Sequence, residues 1–206
     1  MIPLGLFKSF VFTGGNVATF LLYAAMYGVV FFLPQFLQIS DADPLIAGLK
    51  ILPWTGTLVI VAPFAGKAVD VFGEKLIAIW GLILQGVGYL LIAILVRENS
   101  SYSLMILPLI ISGVGLSMAG PSLQKAVLGS VDSVDIGKAS GIYNVFRLFG
   151  GAVGTTISVI VFYRFGSIKS VDLFTNGFRS IMISAATISI LGVIFVLRFR
   201  GIKEKI

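Results

Sequence analysis

Residues 9–40 read SFVFTGGNVATFLLYAAMYGVVFFLPQFLQIS and contain no charged side chain. A helix needs roughly 20 apolar residues to cross about 30 Å of hydrocarbon, and this stretch is longer than that. Residues 76–96 and 99–124 are also free of charge. Because such runs exceed what a water-soluble core uses, the sequence predicts a protein whose helices span a membrane.

Composition excludes several other classes of protein. Apolar residues make up 57% of the chain, the mean hydropathy is +1.04 and only 12% of residues are charged, whereas a soluble domain needs about a quarter of its residues charged. With no Cys and no His, the chain lacks disulfides, thiolate metal ligands and the commonest general base. We therefore expect no metal, no cofactor and no enzymatic activity.

Charged and turn-forming residues divide the chain into six predicted spans, at about 11–38, 45–69, 76–96, 103–128, 139–163 and 178–198. Prolines inside three of these spans predict kinks, which neighbouring helices or waters can accommodate. The expected fold is an all-α membrane protein in which residues 1–206 form one half-bundle of about six transmembrane helices. Polarity along the spans predicts that the third and sixth lie at the lipid-facing periphery and the other four inside.

Basic residues predict the orientation of the helices. An even number of spans puts both termini on one side, and that side carries nine of the Lys and Arg residues against five on the other. The positive-inside rule then predicts cytoplasmic termini in a cell membrane. The net charge of +6 lies in short flanks beside apolar runs, which is typical of such a cytoplasmic face and not of a nucleic-acid-binding surface.

Polar residues on the first span mark the face that avoids lipid. Asn16, Thr19, Tyr23 and Tyr27 fall on one stripe at helical spacing. This stripe fits either hydrogen-bonded helix packing or the wall of a substrate cavity, and both interpretations stay open.

The fifth span carries Asn144 and Arg147 on one face with Gly150, Gly151 and Gly154. Small residues let helix backbones approach closely in a membrane, so the glycines predict helix packing. An Arg inside a span is costly in lipid. Arg147 is therefore expected either to reach the interface or helix-end carbonyls, or to contact a substrate or a carboxylate on a partner half.

The loop between the second and third spans reads GKAVDVFGEK over residues 66–75. It resembles the G-x-x-x-D-x-x-G-x-[KR] signature of major facilitator transporters, with Gly66, Asp70, Gly73 and Lys75 at the signature positions. The two glycines are expected to allow close passage and a tight turn, and Asp70 to accept from backbone N–H groups at a helix start.

Longer stretches narrow this resemblance. FLPQFLQ at 32–38, PLIAGLKILP at 44–53, GKASGIYN at 137–144 and GGAVG at 150–154 are similar to the fourteen-helix drug:proton antiporters of the EmrB/QacA type. The resemblance implies that the chain corresponds to helices nine to fourteen, the C-terminal half of such a transporter. It also implies that the proton-coupling carboxylate belongs to the other half, so the chain is expected to be a fragment or to need a complementary half or a second copy.

The resemblance implies, as the expected function, proton-coupled export of a small lipophilic or cationic compound by alternating access. The candidate cavity residues are Asn16, Tyr23, Tyr27, Trp54, Asn144 and Arg147. Two alternatives remain: a non-catalytic membrane subunit that pairs through its glycine-rich helix faces, and a major facilitator carrier for another small solute.

Overall fold

The computed structural model describes residues 4–41, 43–97 and 101–199, and these form helices without any strand. The α-helices are α1 (Phe10–Asp41), α2 (Pro44–Leu49), α3 (Leu52–Phe72), α4 (Glu74–Leu95), α5 (Ser103–Gly129), α6 (Ile136–Phe165) and α7 (Val171–Leu197), and two short 3-10 helices cover Leu4–Lys8 and Ser133–Asp135. Six segments of the described chain are long and apolar enough to cross a membrane, with α2 and α3 counted as one. This confirms the predicted class, an all-helical protein with six spans.

Two boundaries differ from the predicted spans. The second span is broken where α2 ends, because Pro53 in the first turn of α3 has no N–H to continue the helical hydrogen bonds. The last span begins at Val171 and not at 178, because Ser170 caps α7 by accepting a 3.3 Å hydrogen bond from the Leu173 N–H. Asp172, Thr175 and Asn176 in the first two turns obscured the helix start in the hydropathy pattern.

Helix α1 lies at the centre of the bundle and packs against α5, α6 and α7. The buried Phe32 of α1 stacks on Phe162 of α6 at a ring-centroid distance of 4.8 Å. One turn later, the buried Phe36 stacks on Phe178 of α7 at 4.3 Å. Offset aromatic stacking contributes beyond area burial. These four rings join three helices at the end of the bundle remote from the chain termini.

Helices α4 and α5 pack closely along their length, and small residues make that approach possible. A Cβ on Gly81 would meet the Ala119 N at 2.5 Å, and a Cβ on Gly88 would meet the Ser112 N at 2.6 Å. Gly115 faces the backbone of α4 in the same way. Gly81 and Gly88 thus form a backbone-to-backbone contact of the kind that substitutes for hydrophobic driving force in lipid.

The spans differ in how much of each is buried within the described half-bundle. Only 17% of the most apolar window in the α2–α3 span is buried, and 28% in the α6 span, against 56% in α1, α4 and α5. Helix α4, predicted to be peripheral, is held against α7 by a fully buried group in which Ser189 donates to Gln85 and Gln85 donates to Tyr89. Hydropathy alone missed this, because one buried Gln does not lower the mean of an apolar helix.

The two ends of the bundle separate the charged residues as the spans predict. At one end Lys75 Nζ donates to the Phe199 carbonyl at 2.6 Å, beside the contact of Asp70 with Lys125. At the other end Tyr102 donates to the Lys50 carbonyl at 2.7 Å, and its partial burial raises the pKa of the phenol, which keeps its proton at neutral pH.

Candidate functional site

A charged side chain lies on an aromatic ring inside the bundle, where α6 faces α1. The guanidinium carbon of Arg147 is 4.8 Å from the centroid of the Tyr23 ring. Arg147 is partly exposed, but its Nε is buried and has no hydrogen-bond partner. Cation–π attraction therefore holds one face of the guanidinium. Its Nε–H finds no acceptor in the surrounding chain.

Two more tyrosines, Tyr27 and Tyr143, extend this cluster. The Tyr23 and Tyr27 rings are 6.4 Å apart, and Tyr27 packs against Gly151, where a Cβ would come within 2.8 Å of the ring. Tyr143 of α6 donates to the Gly120 carbonyl of α5 at 3.3 Å. We call Tyr23, Tyr27, Tyr143 and Arg147 the tyrosine–arginine cluster, and it joins α1, α5 and α6.

The other three cavity candidates lie outside this cluster. Asn16 is fully buried in α1, where its Nδ2 donates to the Phe12 carbonyl at 2.8 Å and its Oδ1 has no partner. Trp54 is buried in α3 with its Nε1 unpaired. Asn144 is exposed and donates back to the Ser140 carbonyl of its own helix at 3.0 Å. The structure thus joins Tyr23, Tyr27 and Arg147 by ring contacts, whereas the side-chain amides of Asn16 and Asn144 donate within their own helices.

The glycines of α6 set the distance between the cluster's two helices. A Cβ on Gly150 would meet the backbone of Phe20, and a Cβ on Gly154 would meet the backbone of Ala24. A Cβ on Gly28 of α1 would meet the Ser158 side chain of α6. Because these helices touch backbone to backbone, Arg147 is close enough to cover the Tyr23 ring.

The loop motif joins helix ends at the opposite side from the aromatic stack. Gly73 adopts a φ of +81° and forms the one-residue turn from α3 to α4, a conformation that favours glycine. Lys125 Nζ lies 2.6 Å from Asp70 and 3.7 Å from Glu74. Asp70 therefore contacts the end of α5 and not the backbone N–H groups that we expected, and Gly66 has open space where a close approach was expected.

Replacing Asp70 with Asn is expected to lower thermal stability only slightly. The Asp70 and Lys125 side chains are 71% and 48% exposed, so water and salt screen their attraction. Melting in detergent at low and at high salt should show a small difference between D70N and the parent chain that shrinks as salt rises. Lys67→Gln, at an exposed lysine of α3, is the matched control; a large salt-independent loss in D70N would contradict this picture.

Sequence reasoning missed Tyr143, Lys125 and the α4–α5 glycines. Tyr143 stands four residues before Arg147 and Lys125 one turn before the end of α5, so helical spacing held a signal for the first. For Lys125 no local signal exists, because its partner is 55 residues away. Among the described residues no group of three acidic or metal-ligating side chains could hold a metal ion.

The chain is similar to known proteins over most of its length. The family model described as Major Facilitator Superfamily matches residues 16–205. The chain is 30% identical over 166 residues to the multidrug efflux pump LfrA of Mycolicibacterium smegmatis, covering 80% of this chain and 33% of the pump. It is 30% identical over 159 residues to the colistin resistance protein EmrB of Acinetobacter baumannii (76% and 31%). It is 31% identical over 162 residues to the lincomycin resistance protein of Streptomyces lincolnensis (78% and 34%). The chain spans about a third of the length of these curated relatives.

Proposed function

This chain belongs to the major facilitator superfamily, and from that premise we propose that it forms the C-terminal half of a proton-coupled multidrug exporter. It is a multi-pass membrane protein with six spans. The names of these relatives describe drug efflux or resistance. In this proposal the chain is a carrier and not an enzyme, and it supplies one wall of a cavity shared with a complementary half.

The tyrosine–arginine cluster is the observation that carries the proposal. A guanidinium in the middle of a span is retained only where water, a substrate or a carboxylate receives its donors. Arg147 is partly exposed and lies over Tyr23, with its Nε unpaired. Its remaining donors are thus available to a group that enters from outside the half-bundle.

The chemistry of the cluster favours some substrates over others. The rings of Tyr23 and Tyr27 offer apolar contact to a lipophilic compound. A cationic group would be repelled by Arg147, so it needs a carboxylate beside it. Within the described residues, the carboxylates lie in loops or in the first or last turns of helices. The acidic group for cation binding and for proton coupling is therefore assigned to the complementary half.

The least buried helices supply a surface for that half. Helices α3 and α6 carry exposed apolar side chains, among them Ile60, Phe64, Leu148 and Phe149. The glycines that favoured a non-catalytic pairing subunit contact α1 within this chain, since Gly150 and Gly154 face Phe20 and Ala24. This supports a carrier half over the pairing subunit, because those glycine faces are already occupied.

The proposed orientation puts both chain termini in the cytoplasm of a cell. Because the chain has no Cys, single cysteines at the exposed Ser101 and Ser133 report the two ends of the bundle without background. An impermeant thiol reagent on intact cells should label S101C and spare S133C until the membrane is opened. Labelling of S133C alone on intact cells would show the reverse orientation.

The test of transport compares the chain alone with a completed transporter. In liposomes with a pH gradient, the isolated chain should show no substrate-coupled proton flux, since it lacks the second cavity wall. Joined to the remaining two thirds of the M. smegmatis relative, it should restore efflux of a fluorescent lipophilic dye, with membrane insertion checked by the same cysteine labelling. Coupled flux by the isolated chain would refute the half-transporter proposal and indicate a working homodimer.

A further inference from the structure

A groove runs between α4 and α7 on the outer surface of the bundle, away from the tyrosine–arginine cluster. At the end remote from the chain termini it opens into a polar pocket of about 300 Å³ lined by Arg97, Asp172, Thr175, Asn176 and Arg179. Farther along the same two helices is an almost wholly apolar recess of about 290 Å³. Val87 and Leu90 of α4 and Ile183, Ala186 and Ile190 of α7 line it.

The pocket and the recess are two parts of one groove. On α7, Asn176 and Arg179 are followed on the same face by Ile183 and Ile190, at spacings of three, four and seven residues. On the other side of the groove, Leu90 lies in the last turns of α4, and Arg97 follows two residues after that helix ends at Leu95. From Asn176 to Ile190 the groove extends about 21 Å at a rise of 1.5 Å per residue, which matches the depth of one leaflet with its headgroup region.

The floor of the groove is set by the helix contact beneath it. The buried hydrogen bond between Ser189 and Gln85 fixes α7 against α4. Gly86 lies at the apolar recess, where a Cβ would come within 3.1 Å of the Ile190 side chain. The absence of a side chain at this position keeps the recess open between the helices.

The described residues of the polar pocket suit a phosphate. They supply two guanidinium groups and one carboxylate. Arg179 Nε donates to the Ala93 carbonyl of α4 at 2.8 Å, which holds the planar fork of the guanidinium at the pocket. Arginine forks suit bidentate contact with phosphate oxygens. Asp172 and Asn176 supply acceptors for hydroxyl donors beside that phosphate.

We propose that this groove binds a phosphatidylglycerol molecule from the leaflet opposite the chain termini. Its phosphate lies at Arg97 and Arg179, its glycerol hydroxyls donate to Asp172 and Asn176, and one acyl chain lies along the apolar recess. One negative charge on the lipid matches the excess of guanidinium over carboxylate groups among the described lining residues, which favours this headgroup over a zwitterionic one. The site is independent of transport, since it lies on the outer face of two helices that do not contribute to the tyrosine–arginine cluster.

The experiment is native mass spectrometry of the full chain released from detergent with equal amounts of dioleoyl phosphatidylglycerol, phosphatidylethanolamine and phosphatidylcholine. The chain should retain one phosphatidylglycerol in preference to the others. Arg97→Gln with Arg179→Gln should lower its retention about tenfold, because charge-assisted hydrogen bonds are lost. Arg164→Gln is the matched control, an exposed arginine at the end of α6 outside the groove, and it should leave retention unchanged.

A second variant tests the apolar recess. Thr187 is exposed at the recess, so Thr187→Trp should fill the space, lower phosphatidylglycerol retention and leave the melting temperature in lipid-free detergent unchanged. Equal retention of the three lipids, or an effect of Arg164→Gln as large as that of the groove variants, would overturn the proposal. Preferred retention of phosphatidylethanolamine would overturn the assignment of the headgroup.

Discussion

Gly154→Ala is expected to lower the free energy of unfolding of the half-bundle by about 1–3 kcal/mol, the usual cost of an extra methyl group in a packed interior. A Cβ there meets the backbone of Ala24 in α1, and backbone cannot rotate away as a side chain can. The two helices must move apart, and this also removes Arg147 from the Tyr23 ring. Melting in detergent by circular dichroism measures the effect.

Gly141→Ala is the matched control, because it makes the same chemical change on the same helix. A Cβ on Gly141 meets nothing within 4 Å, so this variant should be neutral or slightly more stable, since Ala favours helix over Gly by up to about 1 kcal/mol. The contrast separates close packing from helix propensity. If both variants melt alike, α1 and α6 do not depend on the glycine contact.

Arg147→Leu is expected to reduce export by the completed transporter about tenfold or more while the chain remains folded. The folded half-bundle loses only the contact with the Tyr23 ring, which is worth about 0.5–2 kcal/mol. A substrate, or a carboxylate of the complementary half, would lose the charge-assisted hydrogen bond that Arg147 donates. Each 1.4 kcal/mol lost from such a bond weakens the binding equilibrium about tenfold. The measurements are dye efflux from cells and melting of the purified chain.

Two further variants distinguish the roles of the Arg147 charge, its planar guanidinium fork and the Tyr23 ring. Arg147→Lys keeps the charge but loses the planar fork, so it should retain part of the activity if two acceptors are engaged at once. Tyr23→Phe keeps the ring under the guanidinium and should retain most of the export activity. Normal export and normal stability in R147L would show that Arg147 only reaches toward the membrane surface and that the cluster is not the substrate site.

Local features of the chain sufficed for the class of fold. Uncharged runs such as residues 9–40 are long enough to span a membrane by themselves, since lipid forces each segment to satisfy its own backbone hydrogen bonds. The six spans, the tight turn at Gly73 and the family resemblance follow from such patterns. Hydropathy placed poorly the start of a helix whose first turns carry polar residues, as in α7, which begins at Val171.

The sequence by itself determined a six-span helical membrane protein and its family resemblance, because hydropathy and turn chemistry are properties of neighbouring residues. Only the tertiary structure decided that Tyr23, Tyr27 and Arg147 meet by ring contacts, while the side-chain amides of Asn16 and Asn144 donate within their own helices. It alone decided that Asp70 contacts Lys125, that α4 is buried and that α3 and α6 are the most exposed spans. The physical reason is that helix rotation and partner choice depend on small residues fitting backbones far apart in the chain, as Gly154 fits Ala24.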